Sequence, residues 1–200
     1  MTKTNGYTMT REEWLNAFAK RAIPTFEELG YTVPSNIRMS VGFPSTGKKG
    51  KRIGECWSSV CSKDEFFEIF IHPVLDDSAR VAGVLAHEMV HAIVGLDAKH
   101  GPVFKKCATA IGLEGKMTAT TEGPEFHKWA GPILDVLGPI PHGSMDTMQT
   151  PRTPSESKNR QIKCECGCGN IWRMSRTTIE NIGERLRCPD SDCHEKVQAS

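Results

Sequence analysis

Apolar positions recur at helical spacing early in the chain. Trp14, Phe18 and Ala22 share a face, preceded by Thr10-x-x-Glu13, a capping box with Met9 and Trp14 at the staple positions. The pattern predicts a helix from about 10 to 22. Pro24 either kinks it or opens a second short helix through Glu28, with Gly30 as the stop. Ile37 to Val41, Lys51 to Trp57 and Phe66 to Ile71 have strand-like composition and are separated by Gly, Pro and Ser stretches, which predicts a small antiparallel sheet.

Asp76, Asp77 and Ser78 supply start signals for a helix running through Val94, with Gly95 ending it. Val81, Val84, Leu85 and Ala92 make it apolar nearly all round, the pattern of a buried helix. Two more helical stretches follow, at 102–111 and 124–137, with Pro132 a kink in the second. After Leu137 the periodicity disappears. Gly138 to Gln161 reads as a flexible tether, and Ile162 to Ser200 has too little apolar material to fold unaided.

Composition narrows the picture without deciding it. Two hundred residues suffice for one real core plus a small appendix. The 25 basic and 24 acidic side chains give no global polyanion signal, so any nucleic-acid contact must be local. No apolar leader opens the chain and no run approaches the ~18 apolar residues of a membrane span, so a soluble, cytoplasmic protein with no membrane partner is expected. Five of the eight cysteines (Cys164, Cys166, Cys168, Cys188 and Cys193) crowd into the last forty residues. Without a secretory signal, metal binding explains them better than disulfides. Cys56 and Cys61 lack a matching downstream pair, so a second metal pair is the weaker reading of them.

The chemistry concentrates in His87-Glu88-Met89-Val90-His91 and the following His100-Gly101-Pro102-Val103-Phe104. Residues four apart on a helix share a face, with Cβ atoms about 5–6 Å apart, so both imidazoles reach one metal while Glu88 projects beside it. Two nitrogen ligands, a third group from elsewhere and a carboxylate able to take a proton from water make a catalytic zinc site. From spacing alone the third ligand is open among His100, Asp97, Glu114 and Glu122. A metzincin arrangement is excluded, because Val94 and Asp97 stand where that pattern needs Gly and His.

His-Glu-Met-Val-His-Ala, a turn, and then His-Gly-Pro-Val-Phe-Lys-Lys resemble the SprT-like (Spartan-like) zinc metalloprotease family. The resemblance extends upstream through Phe70-Ile71-His72-Pro73 and downstream through Gly112-Leu113-Glu114-Gly115-Lys116, covering roughly residues 35 to 130. It implies zinc ligands His87, His91 and His100, with Glu88 as general base, and protein substrates associated with or crosslinked to DNA. The cysteine module also resembles the zinc-binding appendix common in that family. No tyrosine offers itself as an oxyanion stabiliser, since Tyr7 and Tyr31 lie far upstream, and no arginine is assigned the role. His72, at a strand end, is read as structural, with lining of the cleft as the alternative; His127 and His142 carry less weight still.

Cys164-Glu-Cys166-Gly-Cys168 and, twenty residues on, Cys188-Pro-Asp-Ser-Asp-Cys193-His194 form two knuckles of a zinc ribbon closed by four thiolates, a structural site. Five cysteines compete for four places: the first knuckle uses Cys164 with Cys166, Cys164 with Cys168, or Cys166 with Cys168, and His194 is a weaker substitute. Trp172, Arg173, Arg176, Arg185 and Arg187, with Arg152, Lys158, Arg160 and Lys163 before them, interleave basic and aromatic groups as DNA binding requires. Residues 151–200 nevertheless carry nine basic against seven acidic side chains, compatible with a merely solvated face. Lys48-Lys49-Gly50-Lys51-Arg52 is a second candidate for phosphate contact.

The expectation is an α+β zincin-like metalloprotease domain with a small antiparallel sheet at residues 8–138. A linker at 139–161 and a zinc ribbon at 162–200 follow it. Two zinc ions, one catalytic and one structural, a protein substrate and local DNA contact complete it. The rival is a nucleic-acid-binding adaptor with structural zinc sites.

Overall fold

The computed structural model describes residues 9–47, 51–146 and 161–197. It is a mixed α+β protein with small sheets, divided into two compact units, Met1–Gln149 and Thr150–Ser200. In the first unit, α1 (Arg11–Glu28) starts with the expected capping box. The Thr10 hydroxyl accepts the Glu13 N–H at 3.2 Å and the Glu13 carboxylate accepts the Thr10 N–H at 2.6 Å. Two donors left open by the helix start are thereby satisfied. Pro24 opens no second helix and lies inside one continuous helix. Pro24 faces outward while Ala22 and Phe26 are buried, so packing carries the helix past the lost backbone bond.

The sheet corrects the antiparallel expectation. Strands β1 (Ile37–Val41), β2 (Gly54–Trp57) and β3 (Phe67–Ile71) lie in the order β1-β3-β2. β1 runs parallel to β3, from Ile37↔Phe67 to Val41↔Ile71, and β2 runs antiparallel to it, from Gly54↔Ile71 to Trp57↔Glu68. The most apolar strand takes the centre, between the two strands that precede it in the chain. Composition marks strands but not partners. β2 is left as an edge among the described strands.

Helix α2 (Ser78–Val94) begins where the Asp77 side chain accepts the Arg80 N–H at 2.7 Å, and it ends at Gly95, whose φ of 84° suits glycine. Every residue from Val81 to Val90 is buried, because α1, the sheet and the later helices surround it. These are α3 (Pro102–Ala110) and α4 (Pro124–Leu137), which continues through Pro132. Between them stands a hairpin not expected from the sequence, β4 (Leu113–Lys116) and β5 (Ala119–Glu122). It is clamped to α2: Arg80 donates to the Thr120 carbonyl at 2.9 Å and to the Glu122 carboxylate at 2.6 Å. The Glu122 side chain also lies over Gly83, where any Cβ would collide with it. The core joins Trp14, Phe18 and Phe26 of α1 to Ile69, Ile71, Leu85, Met89, Phe104 and Phe126.

Residues 138–146, the start of the expected tether, are held against this unit. Trp14 Nε1 donates to the Gly138 carbonyl at 3.0 Å, Ile140 N to Ser78 Oγ at 2.9 Å, and Met145 N to the Pro73 carbonyl at 2.8 Å. Ile140 is buried. The rest of the tether, residues 147–160, lies outside the described residues.

The second unit has an antiparallel pair, β6 (Ile162–Glu165) and β7 (Ile171–Met174), followed by α5 (Arg176–Ile182). Its buried core is Cys164, Cys166, Leu186, Cys188 and Val197. No helix among the described residues is long and apolar enough to cross a membrane.

Candidate metal centres and the cleft

Helical register places His87 and His91 one turn apart on the buried helix α2. His100 arrives from the turn after it, fixed by Gly101 as N-cap and Pro102 in the first turn of α3. The Nε2 atoms of His87 and His91 each approach His100 Nε2 to 3.2 Å. A tetrahedral ion with metal–nitrogen bonds of about 2.0–2.1 Å spaces its ligands roughly 3.3–3.4 Å apart, so the three imidazoles fit an ion of zinc's size. Asp97, Glu114 and Glu122 do not join this group, and Glu122 is spent on Arg80.

Two supports escaped the sequence reading. His87 Nδ1 lies 2.9 Å from Thr120 Oγ1, and both residues are buried. A metal ligand's second nitrogen held by an oxygen fixes the tautomer and the ring. Phe104 is fully buried, with its ring centroid 4.8, 4.4 and 4.9 Å from those of His87, His91 and His100. Its place within the His100–Phe104 string was the only signal for it. Nothing in Ala119-Thr120-Thr121-Glu122 marked Thr120.

Burial shapes the electrostatics. It lowers His87 to about 3, helped by His91, His100 and Arg80, and it lowers His91 to about 4, helped by His100. His100 is lowered too, by burial and then by Arg52. All three imidazoles are therefore neutral and ready to ligate at neutral pH. Burial, then the charge of Glu55, raises Glu88 to about 8. Glu88 packs against the edge strand, where a Cβ on Gly54 would stand 2.6 Å from Glu88 Oε1.

These groups open on a cleft of about 730 Å³ lined by α2, the approach to β2, the turn before His100 and Thr118 to Thr120. Lys51 and Arg52 line it, whereas Lys48, Lys49 and Gly50 of the same basic run lie outside the described residues. Glu55 is buried beside it. Burial pulls its carboxyl upward, but the Ser45 N–H and hydroxyl, the Trp57 indole and the Arg52 charge together hold it below the usual range. His72 is not part of the cleft: it is buried and its Nδ1 accepts the Val74 N–H at 3.1 Å. His142 Nε2 donates to the Pro73 carbonyl, and His127 is exposed.

In the second unit Cys166, Cys168, Cys188 and Cys193 gather with sulfurs within 4.8 Å of one another. The pairs Cys166–Cys193 and Cys168–Cys188 approach to 3.5 and 3.6 Å. A Zn–S bond of about 2.3 Å requires roughly 3.8 Å between ligands, so this soft donor set also fits zinc. Cys164 is not brought into the group. It is fully buried in the small core, and its Sγ is 4.0 Å from the Ile162 carbonyl. His194 is exposed outside the group, and Cys56 and Cys61 join no metal-holding group among the described residues.

The expected nucleic-acid face is only partly free. Trp172 packs on the small core, Lys163 pairs with Glu165, and Arg185 and Arg187 donate to nearby carbonyls. Arg173 and Arg176 are exposed; Arg152, Lys158 and Arg160 lie outside the described residues. Compared with protein-family models, with curated proteins and with solved structures, the chain matches none of them.

Proposed function

We propose that the chain is a zinc-dependent metalloendopeptidase of the SprT-like type, zincin-like in its first unit and a zinc ribbon in its second. It acts on DNA-associated proteins, from the cytoplasm. The observation that carries the reading is the convergence of His87, His91 and His100 beside a buried glutamate in one open cleft. Bound zinc would polarise the scissile carbonyl and bring a water's pKa from about 15.7 toward 7. His87, His91 and His100 hold the ion, and Thr120 and Phe104 hold the imidazoles.

Glu88 takes the proton from water and returns it to the leaving amine. Its place against Gly54, beside the three histidines in the cleft, positions the carboxyl group for both transfers. The edge strand β2 borders the same cleft, and an edge offers its backbone to an extended polypeptide. The DNA preference rests on the family resemblance and on the exposed Arg173 and Arg176.

The test is metal stoichiometry together with cleavage of casein and of the chain itself, with and without DNA, for wild type and Glu88→Gln. Two zinc ions per chain, with cleavage lost in the variant, are expected. One zinc, or cleavage indifferent to Glu88→Gln, would overturn the reading. DNA binding without any cleavage would instead favour the non-proteolytic adaptor.

A further inference from the structure

The cleft is charged unevenly. Lys51, Arg52, Arg80 and Lys99 line it against Glu55 and Glu88 alone. Arg80 is neutralised by Glu122. Lys51 and Lys99 have no acidic partner among the described residues, and they come from separate segments, one leading into β2 and the other into His100.

Arg52 is held, not spent. One guanidinium nitrogen donates to Glu55, whose carboxylate is pinned by Ser45 N at 2.7 Å, Ser45 Oγ at 2.7 Å and Trp57 Nε1 at 3.0 Å. The side chain remains 57% exposed and lines the cleft. A guanidinium fixed at one end and open at the other is suited to a planar carboxylate.

Lys99 adds an independent sign. Its backbone sits at φ 47°, ψ −127°, a conformation that favours glycine, and Gly183 fills the nearly identical one (φ 53°, ψ −134°) at the end of α5. Lys99 thus stands at the cleft, next to His100, on a backbone conformation that costs a residue with a Cβ.

We propose that the cleft selects acidic side chains of an extended polypeptide, with Arg52 and Lys99 as the residues that read them. This rests on the reading of the cleft as a peptide-binding site and names the class of peptide. These cations line the same cleft as Glu88 and the three histidines, where a chain being cut must pass.

The experiment uses the full zinc-loaded chain carrying Glu88→Gln, so that nothing is cut, and a fluorescein-labelled ten-residue peptide in Glu-containing and Gln-containing versions. Anisotropy should show the Glu peptide bound about tenfold tighter at low salt, with the preference shrinking as salt rises. Arg52→Gln and Lys99→Gly should each reduce that preference about threefold or more. Lys99→Gly should at the same time raise the melting temperature, because glycine relieves the backbone; a purely structural lysine would not separate the two readouts. Equal binding of both peptides, no peptide binding, or a preference unmoved by both variants overturns the proposal. So does tighter binding of a single-stranded oligonucleotide of matched charge that the same variants weaken. Acidic preference in binding with no cleavage by the wild-type chain would sink the protease reading alone, and cleavage without acidic preference would sink this proposal alone.

Discussion

A single hydroxyl on a short strand sets how His87 is held. Thr120→Val keeps the shape and removes the oxygen 2.9 Å from His87 Nδ1. Zinc affinity at the three-histidine site should fall about 10–100-fold in a chelator competition, with the cysteine site unchanged. The buried titratable groups give a pH signature to the metal-free protein. Glu88 is raised to about 8, so its contribution is full below the ordinary carboxyl value and is lost as pH rises toward 8. His87 and His91 are lowered to about 3 and 4, so theirs is full above about 6.5 and is lost as pH falls. Melting of the metal-free first unit should therefore peak near pH ~6.5 and decline on both sides, and Glu88→Gln should remove the decline between about 6.5 and 8 alone, since the buried Cys56 and Cys107 thiols, raised to about 12 and 11, add their own loss only above about 9. Tryptophan fluorescence melts across pH check this; a decline between about pH 6.5 and 8 that survives Glu88→Gln would refute the assignment. His87, Glu88 and His91 were legible because their chemistry is compressed into one helical turn. Thr120 was not, because its relation to His87 spans 33 residues and depends on a hairpin docking.

The edge strand β2 forms one wall of the cleft by coming close to α2. A Cβ at Gly54 would meet Val84 Cγ1 at 2.5 Å and Glu88 Oε1 at 2.6 Å. Gly54→Ala must therefore push the Glu88 carboxyl aside or part strand from helix, a loss of about 1–3 kcal/mol by overpacking. On the proposed peptidase reading, cleavage should fall tenfold or more, about 1.4 kcal/mol of barrier, while zinc content stays constant. Activity and metal assays on the same preparation check it. Helices were readable because caps and apolar spacing are local: Thr10, Asp77 and Gly95 stand where α1 and α2 begin and end. The parallel pairing of β1 with β3 was not, since strand composition carries no partner. The hairpin β4–β5 was missed because Leu113 and Thr120 are its only buried residues, too few to make an alternation.

The two units differ in what keeps them folded. The first encloses a large apolar core, whereas three of the five buried residues among those described in the second are cysteines, two of them in the candidate metal group. Chelation should therefore unfold residues 161–197 and leave the first unit's cooperative melt in place. Hydrogen exchange resolved along the chain measures it: protection lost around Cys166 and Cys188 but kept in α1 and α2 is the expected result, and protection kept throughout would refute it. The stretch from Gly138 to Met145 bears on where this protein can be divided. A fragment stopped at Leu137 would strip the Trp14 indole, the Ser78 hydroxyl and the Pro73 carbonyl of their partners and bare the face that Ile140 covers. A protease nicking the chain, or an experimenter trimming it, would find the first self-sufficient end only beyond Met145.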